Sequence, residues 1–457
     1  MRNVRWPGGG RASAKGGVDA GTWCNWTGDQ ECRPATLEEP ESTAEITALL
    51  EKAELNDRTV RVAGAGHSFN DGVLTDGMLV SLRRMNRVIE VDGSSGLARV
   101  QAGINLHELN EELWRRGRAL ANLGDVDVQT IAGATATGTH GTGVRLGNIS
   151  ASIHAVQLVL SDGSLVEVEK GSDEDAWLAA RVSLGALGVV TEVTMQTVPA
   201  FTLRGIDRTE PLEDVFAQLD HLIDSNEHFE FFTFPHSPLA LTRTNNRIDG
   251  PARPRSKRSA WINDILLRNY AYETVCRMGR RFPSRIPTLN RMTARLSGSS
   301  ERIDDSYKIF ASPRLVRFTE MEYAIPREHA VEAVRAVRRV IEERHFDVPF
   351  PLEVRFTAAD DAFLGPAEGR ETCCISAHMF KDMEWEPYFR AVEQIMDSFD
   401  GRPHWGKRHF RSATTLRDRY RHWEDFARVR ARFDPHGRFA NAYLDRVLGP
   451  GGRGLQR

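Results

Sequence analysis

The sequence predicts an α+β fold in more than one domain, and three observations carry that expectation. The chain has 457 residues, too many for one small core. Its first two hundred residues hold several short strand candidates and few helices, without the regular strand–helix alternation of a doubly wound nucleotide fold. Two glycine-rich stretches, Gly64-Ala65-Gly66-His67-Ser68 and Thr130 to Gly143, interrupt the pattern. Hydrophobic residues make up 40% and charged residues 27%, the balance of an ordinary globular protein. A formal net charge of −3 gives no global attraction to nucleic acid. No run is long and apolar enough to cross a bilayer, and the N-terminus lacks the apolar core of a signal peptide. Cys24, Cys32, Cys276, Cys373 and Cys374 are sparse, odd in number and without metal-type spacing, which points to a reduced cytoplasmic protein.

Residues 1–22 mix Gly, Arg and Lys without periodicity and are expected to be disordered. Ser42-Thr43-Ala44-Glu45 has capping-box spacing, and Ile46, Leu49, Leu50 and Ala53 recur as one helical face. Strand candidates follow at Thr59–Ala63, Leu79–Leu82, Arg87–Val91 and Ala98–Ala102, separated by Gly/Asp turns. Asn105 and Glu108 begin a second capped helix, lined by Leu106, Leu109 and Leu113 and ended by Gly117. Asp162-Gly163 between Ile153–Leu160 and Ser164–Glu169 predicts a hairpin. A short helix near Asp173–Arg181 and a strand Val189–Val198, closed by Pro199, complete this part.

From residue 200 the composition changes. Glu230–Phe234 is rich in aromatics, and Arg253–Arg295 is strongly basic, with Asp264 and Glu273 its only acids. Trp261, Ile262, Ile265, Leu266 and Tyr270 give that segment an apolar face. A solvated face packed on the body is the simpler reading; peripheral contact of 253–295 with an anionic membrane surface is the alternative. Phe318–Ala324, Leu352–Phe356 and Thr372–Met379 read as strands, Glu328–Arg344 as a helix, and Leu416–Arg432 as a charged helix.

The run TIAGATATGTHGTG at 130–143 has neither a helical apolar stripe nor a period of two. Its small residues let backbone pass close to a flat or phosphorylated ligand. Two such loops in the first third of the chain favour a large cofactor. Gly64-Ala65-Gly66 begins a G-x-G-x-x-G motif whose last position is Phe69, so a Rossmann domain is not expected.

Together GAGHSFND at 64–71, GATATGTHGTG at 133–143 and Ser183 to Gly188 resemble the flavin domain of vanillyl-alcohol-oxidase-like FAD enzymes. FEFFTFP at 229–235, RFTEMEYAIPRE at 317–328, PLEVRF at 351–356 and HWGKRH at 404–409 resemble the sugar-1,4-lactone oxidase branch, which includes L-gulono- and D-arabinono-1,4-lactone oxidases. The resemblance runs from about Trp23 to Leu444 in matching order. It implies a two-part FAD-binding domain over 23–199, a substrate domain with a large antiparallel sheet over 200–401, and a segment 402–457 returning to the FAD domain. It implies FAD contacts at Gly64, Ala65, Gly66, His67, Ser68, Gly133, Thr137, Gly138, Thr139, His140, Gly141, Val189 and Lys407. His67 matches the position of covalent attachment through the flavin 8α-methyl group, for which a neutral imidazole on a tight turn is the nucleophile. His140 is the rival histidine and reads as a loop contact.

The implied reaction is hydride transfer from a hydroxyl-bearing carbon to flavin N5, with an ascorbate-like product from the lactone. Glu353 and Arg355 alternate on one strand candidate and face the same way. They could be a cross-strand ion pair; the resemblance puts them beside the flavin ring and substrate, with Arg355 fixing the substrate oxygen or lactone carbonyl. His378 and Lys407 match positions near the reacting carbon. Either could be the base, histidine by its ordinary pKa and lysine if desolvation lowers it. His404 is as readily structural, and Cys373 and Cys374 read as core. The sister alditol oxidases, which act on open-chain polyols, are the alternative enzyme. A flavin-binding module without turnover is disfavoured by the retained Glu353, Arg355, His378 and Lys407. The electron acceptor is oxygen or a respiratory, cytochrome-type partner, and the expected location is cytoplasmic, with peripheral contact at the inner face of a membrane.

Overall fold

In the computed structural model, residues 21–451 are described, so the expectation for 1–22 lies almost wholly outside the described residues. Three sheets organise the chain. A small parallel sheet sets Met78–Ser81 between Thr36–Glu38 and Val60–Ala63. A five-stranded antiparallel sheet runs Leu165–Glu169, Ile153–Val159, Val189–Gln196, Leu97–Gln101, Val88–Val91. Helix Thr43–Leu55 starts where the Ser42 hydroxyl accepts the Glu45 N–H, and it buries Ile46, Leu50 and Ala53. Helix Leu106–Arg115 starts the same way on Asn105 and buries Leu106, Leu109 and Leu113.

The third sheet has eight antiparallel strands in the order Ser300–Asp305, Thr202–Pro211, Leu239–Ile248, His228–Thr233, Leu352–Thr357, Thr372–Phe380, Phe318–Pro326, Arg402–Pro403. Its two faces differ in kind. Phe231, Val354, Phe356, Ile375, Ala377, Met321 and Tyr323 form one apolar face. Helix Ala330–Glu343 covers it with Ala333, Val334, Val337 and Ile341, the valines and the isoleucine worth roughly 1.5–3 kcal/mol each on burial. The intervening positions of the same strands are ionic, and they build the candidate site.

Four segments differ from expectation. Ile131–Ala136, read as loop, is helical: the Thr130 hydroxyl caps Gly133 N–H, and the hydroxyls of Thr135 and Thr137 bond back to the carbonyls of Ile131 and Gly133. Gly138, at φ +69°, ends it. The charged helix around Leu416–Arg432 is instead two, Ala413–Leu416 and Trp423–Phe433. Tyr420 between them is drawn into extended backbone, where its ring stacks on Trp405 at 5.6 Å and the Arg419 carbonyl accepts from Arg402. The basic segment forms helical pieces from Lys257 to Arg281, with Trp261–Ala271 a π-helix, and a further helix Ile286–Leu296. Trp261, Leu266, Leu267 and Tyr270 stay exposed, so its apolar face is not fully packed on the body. Cys373 is a core residue, whereas Cys374 points to the ionic face of the large sheet, beside His140 and Glu322.

Candidate active site

Strand register brings the ionic side chains together. Asp207 pairs with Arg243, Arg243 with Glu230, and Glu230 with Arg355, a row of alternating charge across four strands. Two residues along, Glu353, Ser376 and Glu322 form the next row. His378 and Glu320 form the third. The edge strand Arg402–Pro403 pairs with Tyr323 and Ala324, and the chain then runs beside Glu320 and Glu322: His404 N–H donates to the Glu322 carbonyl and Arg408 N–H to that of Glu320. That extension delivers Lys407. The glycine-rich turn meets the same segment, because Phe69 N–H donates to the Gly406 carbonyl and Asn70 donates to the carbonyls of Trp405 and Lys407.

Lys407 Nζ donates to Glu320, to Glu322 at 2.7 Å and to Ser376 at 3.4 Å. Burial disfavours its charge, but the two glutamates outweigh that and hold its pKa above the ordinary lysine value. Burial likewise opposes ionisation of Glu320 and Glu322, and the Lys407 ammonium outweighs it, holding both below the carboxylate range. Lys407 is therefore a fixed cation: desolvation, the condition under which it could have been the base, loses to two carboxylates in contact. His140 donates from Nδ1 to the Gly141 carbonyl and from Nε2 to Glu322 at 2.8 Å, so it belongs to this cluster. His404, pushed down to about 3 by burial, stays neutral and accepts the Gly406 N–H at Nδ1.

Arg355 donates from Nε to Glu230 at 2.8 Å and pairs through its second nitrogen with Glu353 and Asp125. It is 6% exposed. The His378 ring is held by Phe318 and Phe350, at 5.2 and 5.9 Å, and its Nδ1 donates to the Pro351 carbonyl. That leaves Nε2 toward Glu320 at 3.3 Å and Glu353 at 3.8 Å.

A cavity of about 740 Å³ runs from His67 and Thr139 to Glu353, Arg355, His378 and Lys407. A second, of about 130 Å³, is walled by Gly64, Gly66, Gly133, Gly185 and Gly188. His67, Ser68, Gln129 and Thr137 line both, so the two adjoin at the glycine-rich turn. The residues present fit the implied FAD. Gly66 has φ +68°, and a Cβ on Gly64 would meet the Thr130 hydroxyl at 2.7 Å, so neither accommodates a side chain without strain. Arg61, on the wall of the smaller cavity, is buried with all five donors spent on the carbonyls of Gly72, Leu184, Gly185 and Phe439. Among the described residues no carboxylate pairs with it, and burial lowers its pKa to about 10. A buried cation without an ion-pair partner beside a backbone-lined pocket suits a pyrophosphate dianion.

The sequence-derived candidates therefore fall into three groups. Glu353, Arg355, His378 and Lys407 line the larger cavity with His67, Ser68, Thr137, Thr139 and His140. Gly64, Ala65, Gly66 and Gly133 line the smaller. Gly138 packs against Pro366, Gly141 against Leu123 and Asn122, and Val189 lies in an apolar core while its neighbour Val190 faces the smaller cavity. Sequence reasoning missed Glu320, Glu322, Glu230, Asp125 and Arg61. The signal for the first two was present in EMEY, two acids at alternate positions of an otherwise apolar strand.

Comparison with known proteins identifies the family and the fold. Residues 34–169 match an FAD-binding domain family and residues 193–447 the D-arabinono-1,4-lactone oxidase family. An L-gulono-1,4-lactone dehydrogenase of Mycobacterium tuberculosis is 48% identical over 94% of this chain and 99% of its own. The L-gulonolactone oxidase of Bos taurus is 33% identical over 93% of this chain and 97% of its own. A solved solvent-stable cholesterol oxidase shares the fold, with a TM-score of 0.79 at 18% identity over 94% of this chain and 97% of its own. The α+β architecture, an FAD-binding domain joined to a large antiparallel sheet, is thus that of the vanillyl-alcohol-oxidase type. Matched over more than half its length and backed by a relative of 48% identity, the chain belongs to the family of the D-arabinono-1,4-lactone oxidases, FAD-dependent oxidoreductases.

Proposed function

We propose that the protein oxidises a sugar 1,4-lactone of the L-gulono or D-arabinono type at the ring carbon beside the carbonyl, and passes the electrons to an acceptor other than oxygen. One observation carries the reading: a single cavity joins His67 to a wall of Glu353, His378 and Lys407. FAD, when bound, supplies the hydride acceptor. His378 takes the substrate hydroxyl proton at Nε2, because Nδ1–H is committed to the Pro351 carbonyl. Glu320 and Glu353 stabilise the imidazolium so formed. Lys407, already protonated, cannot serve as the base; it supplies fixed positive charge as the carbonyl develops. The named activity of the mycobacterial relative supports the choice of acceptor.

Steady-state assays with L-gulono-1,4-lactone, D-arabinono-1,4-lactone and xylitol, each with oxygen and with an artificial dye, test the proposal. Dye-coupled turnover of at least one lactone well above xylitol is expected. Xylitol turned over well above both lactones would assign the protein to polyols. Peroxide formed at the full dye-coupled rate would make oxygen the acceptor.

The exposed Trp261, Leu267, Tyr270 and Phe282, set among Arg258, Arg277 and Arg281, support peripheral contact with an anionic membrane. The protein should sediment with phosphatidylglycerol vesicles at low salt and be released at high salt. Equal sedimentation with uncharged phosphatidylcholine vesicles would rule out the electrostatic part.

A further inference from the structure

Arg355 is held by three carboxylates, Glu230, Glu353 and Asp125, two of them shared with the neighbouring arginines Arg243 and Arg314. A second cation borders the same cavity. Arg314 lies on the connection between helix Ser306–Phe310 and strand Phe318–Pro326, and its side chain is 36% exposed against 8% for Arg355. Its ion pair is with Asp125, a carboxylate it shares with Arg355. Burial pulls the Arg314 pKa down, while Glu353 and Glu320, both on the cavity wall, act on it in the opposite direction.

The connection carrying Arg314 is not loose. Ser312 N–H donates to the Asp125 carbonyl at 3.1 Å. The Asn269 amide grips both flanks of Arg314: Nδ2 donates to the Pro313 carbonyl at 2.9 Å, and Oδ1 accepts the Leu315 N–H at 2.7 Å. Asn269 is 3% exposed and sits in the π-helix Trp261–Ala271, where its Nδ2 also donates to the carbonyl of Asp264, five residues back. Helical turns of this wider pitch recur at functional positions. Here the Asn269 side chain holds the backbone on both sides of a cavity-lining arginine.

The geometry points to Arg314 as the residue that binds the substrate's carbonyl oxygen, with Asn269 of the π-helix as its positioning residue. The inference rests on the lactone reading above. A guanidinium with donors left over after one carboxylate suits a neutral carbonyl acceptor, and Arg314 lines the same cavity as the proton acceptor His378.

Arg314→Ala should raise the KM for the preferred lactone about 10- to 100-fold, the loss expected for one charged hydrogen bond. Flavin reduction at saturating lactone should stay within about threefold of wild type. Arg314→Lys should recover part of the KM, since a point charge replaces the fork. Asn269→Ala should reproduce the KM effect, and the double variant should add nothing to it. The assignment is overturned if Arg314→Ala keeps KM within twofold while the wild type oxidises lactone. It is overturned equally if the two single effects add fully. A wild type inert toward every lactone defeats the lactone reading itself, which is a different result from either of these.

Discussion

Lys407→Met should slow anaerobic flavin reduction by about 10²–10³-fold, the usual cost of removing a group that meets developing charge. The FAD content should change far less, since Lys407 does not line the glycine-walled cavity and that wall is unaltered. The variant should also be less stable. Glu320 and Glu322 are 6% and 2% exposed, and removing their shared cation leaves two buried carboxylates short of a counter-charge. Breaking a buried pair in this way costs about 3–5 kcal/mol. Glu322→Gln in the same background removes one of the charges and should restore thermal stability without restoring the reduction rate. Stopped-flow reduction and a melting curve separate the two effects; near-normal reduction in Lys407→Met would show that the cation is not part of the chemistry.

The pH behaviour follows from the same shifts. Lys407 has a raised pKa, so its contribution to stability is full below the ordinary lysine value of about 10.4 and is lost only as pH rises through the higher folded value. Glu320 and Glu322 have lowered pKa values, so theirs is present above about 4.3 and lost as pH falls through the folded values. Between those limits Lys407, Glu320 and Glu322 keep their charges. A limb in the reduction rate between about pH 6 and 9 that vanished in Lys407→Met would contradict a permanently charged lysine.

His67→Ala should abolish flavin that survives denaturation. In the wild type we expect fluorescence on the protein band after acid denaturation, and in the variant flavin only in the supernatant. The reason is the state of the imidazole. Burial lowers the His67 pKa to about 4, so at neutral pH the ring carries a free lone pair, as a nucleophile toward the flavin methyl group requires. The ring lies 4.6 Å from Trp26 and borders both cavities, which keeps it at their junction. Flavin that washes completely out of the denatured wild type after full loading with FAD would falsify covalent attachment.

How much of this was legible beforehand depended on the range of the interaction. Helix starts at Ser42 and Asn105 were readable, because a cap is a contact between residues three apart. The hairpin at Asp162-Gly163 was readable for the same reason. Glu353 and Arg355 were readable as a same-face pair, since alternation along a strand is local geometry. The ordered motifs were enough for the family, the FAD-binding domain and the large antiparallel sheet.

Other features were settled at long range. Glu320 and Glu322 meet Lys407 across more than eighty residues, through an edge strand of two residues that no pattern announces. The same contact reverses the direction of the lysine's shift, because a pKa answers to whatever charge lies within a few ångströms and not to sequence neighbours. Tyr420 breaks a helix that its local sequence favours, since stacking on Trp405 outweighs propensity. Residue order along the chain sufficed for elements whose contacts close within a turn or along one strand. The register of eight strands was needed for the charge state, the counter-ions and the cavity, because those arise from side chains that meet only once the sheet has formed.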